Sequence, residues 1–322
     1  MAPTDLKQIA PGVFVWQPGH TATWGMANCG LVVSEDQALV IDTPYTPALT
    51  DAFLTAVRTA AGPSVALDQV AVTHANGDHT WGLQQLPGAE VFATHATLEH
   101  QCLEPKPQQL QTLIHDTDPA QPLGWYFRKH FGQFDFAGVK VLPPTTTFAG
   151  RHDLVVGQEP VELHEVGPAH TVGDLMVHLP EQRVIFAGDI VFAGDHPSHW
   201  AGPLDRVSAA CGRILELDPE WIVPGHGPLM TPSDLRRYVD YLDDLASQAY
   251  LMRGQGRSAV EAARILIKED RYPGLGLPER LAITLSTEYR HLNQDSTSPD
   301  LLELMNHAAR IGWDLSANPL AR

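Results

Sequence analysis

Short apolar runs separated by polar turns fill the first two-thirds of the chain, and longer amphipathic stretches take over in the last third. The short runs predict strands at 13–16, 29–33, 38–41, 70–73 and 91–93, then at 154–156, 161–166, 175–179, 184–187 and 221–223. Over 47–61 the apolar positions Leu49, Phe53, Leu54 and Val57 recur at helical spacing, and Gly62-Pro63 ends the run. A second helix is predicted over 204–217, and a short one near Trp81-Gly82-Leu83. Residues 18–26 read as a hairpin loop, and Asp42-Thr43-Pro44 reads as the stop of a strand. Residues 96–136 carry Pro105, Pro107, Pro119 and Pro122 and an aromatic cluster, Trp125-Tyr126-Phe127 with Phe131, Phe134 and Phe136. They read as short helices lying over a pocket. From Thr231-Pro232-Ser233-Asp234 onward the pattern is helical, over 231–253, 258–270, 278–292 and 299–311. The pattern divides the chain into a strand-and-helix part, 1–230, and a helical extension, 231–322. That extension is expected to cap the pocket, to mediate a homodimer, or both.

Composition narrows the class. The net charge is −17 and the pI about 5.2, which sets the chain against nucleic acid and anionic membrane as general partners. Cys29, Cys102 and Cys211 form no close pair, so free thiols and a reducing, cytoplasmic compartment are expected. The first twenty residues lack the pattern of a signal peptide, and no apolar stretch approaches the roughly 20 residues of a membrane span. Sixteen histidines invite a search for metal ligands.

The search converges on Thr73-His74-Ala75-Asn76-Gly77-Asp78-His79-Thr80, which follows the apolar run Val70-Ala71-Val72. Imidazole and carboxylate are ordinary ligands for zinc and similar cations, and a strand end is a rigid mount. In an extended chain, positions 74, 76 and 78 share one side. His79 joins them only if the chain bends, and Gly77 allows that bend. His170, Asp189 and His226 also stand at the ends of apolar runs beside glycine: Gly167-Pro168-Ala169-His170, Gly188-Asp189 and Pro224-Gly225-His226-Gly227. The remaining histidines, at 95, 100, 115, 130, 152, 164, 178, 291 and 307, carry no such pattern.

These four motifs, in this order, resemble the metallo-β-lactamase fold superfamily over about residues 10–230. The resemblance implies a four-layer αββα sandwich with a two-metal site on one edge. It implies that His74, Asn76 and His170 hold one ion, that Asp78, His79 and His226 hold the other, and that Asp189 bridges them. The family usually has His where this chain has Asn76, and an amide oxygen is a harder, weaker ligand than imidazole. One or two divalent ions are therefore expected, with zinc first and manganese or iron open. His-Ala-Asn-Gly-Asp-His also resembles a narrower branch that includes cyclase/thioesterases of aromatic polyketides.

The chemistry implied is hydrolysis. A bound divalent ion acidifies water toward a pKa of about 7, and the hydroxide attacks an ester, thioester, lactone or amide carbonyl. Asp78 would orient that water. His20, Trp24, His196, His199 and Trp200 are candidate substrate contacts, with Tyr45, Trp125 and Tyr126 as further aromatic walls or core. Two alternatives stay open: a cyclase or lyase on a polyketide-like thioester, and a di-iron oxidoreductase.

Overall fold

In the computed structural model, residues 5–19, 21–295, 297 and 299–317 are described. The first sheet has seven strands in sequence order: β1 (Lys7–Ala10), β2 (Val13–Trp16), β3 (Cys29–Ser34), β4 (Gln37–Ile41), β5 (Ala66–Ala71), β6 (Glu90–Thr94) and β7 (Thr146–Phe148). β1 to β4 pair antiparallel, as short turns permit, and β4 to β7 pair parallel. Helix α1 (Pro47–Ala61) makes the crossover from β4 to β5. Thr46 caps it by accepting from the Leu49 amide, and Pro47 needs no such partner at the first turn. The parallel half carries α2 (Gly77–Thr80), α3 (His95–Gln101), α4 (Pro107–Asp116) and α5 (Pro122–Phe131) in its connections.

The second sheet contains β8 (Arg151–Val156), β9 (Glu159–Glu165), β10 (Leu175–Leu179), β11 (Val184–Phe192) and β12 (Trp221–His226). Its strands are antiparallel except for β11 and β12, joined through α6 (Leu204–Glu216). The chain ends in α7 (Pro232–Gly254), α8 (Ala259–Lys268), α9 (Leu281–Leu292) and α10 (Leu301–Ala317).

Alternation along the strands builds three apolar layers. Val15, Val32, Leu39 and Ile41 of the first sheet meet Leu163, Leu175, Val177 and Phe186 of the second. The other face of the first sheet, with Val40 and Val70, packs on Phe53 and Val57 of α1. The other face of the second sheet, with Ile185, packs on Val207 and Ile214 of α6, Leu242 of α7 and Leu285 of α9. Each such fully buried aliphatic side chain contributes about 1.5–3 kcal/mol. The result is the expected αββα sandwich. Helix α10 reaches that layer through Ile311, while its Met305, Ala308 and Ala309 pack with Tyr126, Phe127 and Phe131 of α5.

Three features depart from the sequence pattern. β1 and β7 were not expected, because Lys7-Gln8 and Thr146-Thr147 carry no apolar alternation. Both are edge strands, formed by backbone pairing more than by burial. β11 does not stop at Ala187 but runs through Asp189 to Phe192, with an irregular register against β12 after Gly188. Asp189 thus sits within a strand, where the register breaks.

Candidate metal centre

The loop after β5 turns at Gly77 into the four-residue α2, whose N-cap is Asn76. This bend carries His79 back toward His74 and Asp78. A side chain at 77 would meet the Trp81 ring at 2.4 Å, so only glycine permits the turn. The β9–β10 connection brings His170, β11 brings Asp189 and the end of β12 brings His226. Gly225 makes room for Asp189, since a Cβ at 225 would lie 1.8 Å from Asp189 Oδ1.

The seven residues converge. Asn76 Oδ1 lies 3.1 Å from His74 Nε2 and 2.7 Å from His170 Nε2. Asp189 Oδ2 lies 3.5 Å from His170 Nε2 and 3.3 Å from His226 Nε2, while Asp189 Oδ1 lies 3.1 Å from His79 Nε2. Asp78 Oδ2 is 3.4 Å from His226 Nε2. His74, His79, His170, Asp189 and His226 are all buried.

Three residues that sequence reading passed over hold this arrangement. Asp42 accepts from the Thr73 amide at 2.7 Å, from Thr73 Oγ1 at 2.7 Å and from His79 Nδ1 at 2.8 Å. It fixes the His79 ring with Nε2 toward the cluster. Far from merely ending β4, Asp42 is buried with φ of 58°, a left-handed conformation that Asp tolerates. That Asp sits directly after a buried strand was the only signal in the sequence. Asp174 accepts from Thr171 N, Thr171 Oγ1 and Ala169 N, which pins the loop around His170, and burial pushes its pKa up to about 7. Glu104 hydrogen-bonds the Asn76 side chain, and burial pushes it too up to about 7. With the Asn76 amide N–H2 donating to Glu104, Oδ1 faces the two rings.

Burial and the neighbouring His79 charge pull His74 down to about 4, and burial takes His170 well below its ordinary range. For His226 burial also acts downward, but Asp189 and Asp78 overcome it and lift the group to about 9. His79 is raised in the same way by Asp189 and Asp42. Despite burial, Asp189 is held well below the carboxylate range by His226, His79 and His170. The cluster therefore packs ligand-type groups whose charges a cation would organise by displacing protons. The fit is supported by His79 Nε2 and Asp189 Oδ1, which are buried side by side without making a hydrogen bond. It is supported again by two sets of donors, His74/His170/Asp189 and Asp78/His79/His226, each with its ligand atoms within 4.8 Å of one another.

A cavity of about 940 Å³ opens on this cluster. Trp24, Tyr45, Trp81, Phe127, Phe131 and Met305 line it, so helices α5 and α10 contribute a wall. Of the candidate substrate contacts, Trp24 and Trp200 line the cavity. His196 and His199 do not. His196 Nδ1 lies 2.8 Å from Tyr241 Oη and His199 Nε2 lies 3.2 Å from Tyr238 Oη, bonds that hold both rings against α7. His20 lies outside the described residues. Tyr126 is core, accepting from Trp24 Nε1 at 3.0 Å, and Trp125 packs on Trp313.

A profile of the metallo-beta-lactamase superfamily matches residues 22–226, which contain all seven residues of the cluster. The chain belongs to the metallo-beta-lactamase superfamily. With the family comes the enzyme class expected from the motifs, a metal-dependent hydrolase. Among curated superfamily relatives, the acyl-coenzyme A thioesterase MBLAC2 of Gallus gallus is 28% identical over 235 residues, covering 68% of this chain and 79% of the relative. The Homo sapiens protein of the same name is 26% identical over 234 residues, covering 68% and 80%. Among solved structures, the DIM-1 metallo-beta-lactamase aligns with a TM-score of 0.55 at 18% identity, over 76% of this chain and 99% of that one. The sec-alkylsulfatase Pisa1 from Pseudomonas sp. aligns with a TM-score of 0.66 at 15% identity, over 90% of this chain and 50% of that one. These structures share the fold. Among the described residues the three cysteines are unpaired, and no helix is long and apolar enough to cross a membrane.

Proposed function

We propose that the chain hydrolyses an acyl thioester of the coenzyme A type, with the acyl group seated in the aromatic cavity. The observation that carries this reading is the junction of the metal-type cluster with a cavity walled by Trp24, Tyr45, Phe127, Phe131 and Met305. Such a wall offers an apolar acyl chain or ring a dry seat beside polar groups that fix its carbonyl. The names of the MBLAC2 relatives support the thioester. Arg280 and Arg290, the latter 3.9 Å from Asp295, also line the cavity and are the cationic groups it offers to the phosphates of a coenzyme A ester.

His74, Asn76 and His170 would hold one ion, Asp78, His79 and His226 the other, with Asp189 between them. Zinc is the proposed metal, because imidazole supplies four of the seven ligands. When bound, the ions supply Lewis acidity, polarising the acyl oxygen and acidifying water. Asp78, with its Oδ2 toward His226, is placed to orient that water and to take its proton. Asp42 and Glu104 keep the ligating atoms of His79 and Asn76 turned inward. Helix α10 closes one side of the cavity as a cap.

The test is thiol release from acyl-coenzyme A esters of graded chain length by zinc-reconstituted protein. Release that is chelator-sensitive and lost in Asp78→Asn is expected. No release from any chain length, with cleavage of a lactone or oxygen ester instead, would overturn the thioester assignment. Product mass separates hydrolysis, which adds water, from ring closure, which loses it.

A further inference from the structure

A second group of ligand-type side chains lies on the outer face of the second sheet. Leu163 of β9 and Val177 of β10 point into the sandwich core. Their neighbours Glu162, His164 and His178 therefore face the opposite way. Glu162 and His178 are direct cross-strand partners, and His164 is two residues along β9 on the same face. This register brings three side chains to one point. Glu162 Oε2 lies 2.9 Å from His164 Nε2 and 3.0 Å from His178 Nδ1. All three ligand atoms fall within 4.8 Å of one another.

The other carboxylate oxygen is engaged separately. Arg151 of β8, the cross-strand partner of His164, approaches Glu162 Oε1 at 3.0 Å. It orients the carboxylate so that Oε2 is left to the two rings, the part an outer partner plays in a metal site. His164 and His178 are largely buried, while the Glu162 side chain is 20% exposed, so one side of the group is open to solvent. Burial keeps His164 below its ordinary range, toward the neutral form that ligates. Against burial, the two rings and Arg151 hold Glu162 below the carboxylate range. Two imidazoles, one carboxylate and an open fourth position are a tetrahedral ligand set for zinc-like ions.

We propose that Glu162, His164 and His178 bind one borderline divalent cation of the zinc or cobalt(II) type, at a site separate from the candidate metal centre. The ion ties β9 to β10 beneath Arg151. The guanidinium repels it, so it binds more weakly than ions in the seven-residue cluster. The inference does not depend on the thioester reading.

Cobalt(II) titration of chelator-stripped, full-length protein, with bound metal counted by equilibrium dialysis, tests it. Wild type is expected to bind one equivalent more than Glu162→Gln or His178→Ala, with thiol release from acyl-coenzyme A unchanged in both variants. A His74→Ala, His79→Ala double variant is expected to keep this outer equivalent while losing ions from the candidate centre. Equal stoichiometry in wild type and Glu162→Gln, when the two melt alike in chelator, would overturn the proposal. Should His178→Ala fail to fold, the isosteric Glu162→Gln and the conservative His164→Asn decide the matter.

Discussion

Replacing Asp42 with Asn isolates what its carboxylate does for the cluster. Asn is close in shape and tolerates the φ of 58°, so the backbone is not the perturbed element. The carboxylate receives the Thr73 amide on Oδ1 and both Thr73 Oγ1 and His79 Nδ1 on Oδ2. An amide has one acceptor oxygen. In one orientation its N–H2 faces the Thr73 N–H, and in the other it faces the ring N–H of His79. Either way one buried donor loses its acceptor, and a charge-assisted bond becomes a neutral one. Each loss costs about 1–3 kcal/mol, so the metal-free protein should be less stable by about 2–4 kcal/mol in urea unfolding. With His79 no longer held with Nε2 inward, the ion of the Asp78/His79/His226 set should bind roughly 10–100-fold more weakly. Competition against a chromogenic chelator reads the two ions separately. Reduced stability with both affinities unchanged would refute the orienting role and leave Asp42 as a structural group only.

Gly225→Ala should place a methyl group on Asp189 Oδ1 and displace that carboxylate. Elemental analysis should show metal lost, and unfolding should show a cost of about 1–3 kcal/mol or more from overpacking. Asn76→His should raise zinc affinity at the His74/His170 set, because imidazole is the better ligand and Glu104 remains beside it to accept the second ring proton. Unchanged affinity in calorimetry would show that Asn76 is not a ligand. Burial pushes His196 and His130 down to about 3, so both are neutral in the folded chain where the unfolded chain protonates near 6.5. Stability should therefore fall as pH drops below 6.5, by up to about 2 kcal/mol per group at pH 5, and His196→Gln should flatten that slope in denaturant titrations.

The sandwich was legible because its interior strands are apolar runs, or alternate apolar with polar positions, and so turn an apolar face to the layer between the sheets. Leu163 and Val177 fall within the strands predicted at 161–166 and 175–179, and both are core. Edge strands such as β7 were not legible, since Thr146 and Thr147 owe their conformation to a neighbour rather than to burial. The cluster was legible for a different reason. His74, Asp78, His79, His170, Asp189 and His226 stand beside glycines at the ends or breaks of strands, a local mark of a chemical site. Asp42, Glu104 and Asp174 lack that mark. Their roles arise from partners that the fold brings to them, 37 residues away for Asp42 and His79. In the loop at 192–200, sequence proximity to Asp189 did not separate Trp200, which lines the cavity, from His196 and His199, which the tyrosines on α7 hold.

The cavity's floor and its wall come from different parts of the chain. The floor is set by strand ends that tolerate almost no change in position, as the 1.8 Å approach at Gly225 illustrates. The wall is drawn from α5 and α10, which rest on each other through Phe127, Phe131 and Met305. Mutational libraries confined to those helical positions would resculpt the proposed acyl seat while leaving the proposed metal ligands in place. Drift in natural populations would act along the same seam, so orthologues that keep one reaction could diverge widely in the molecules they accept.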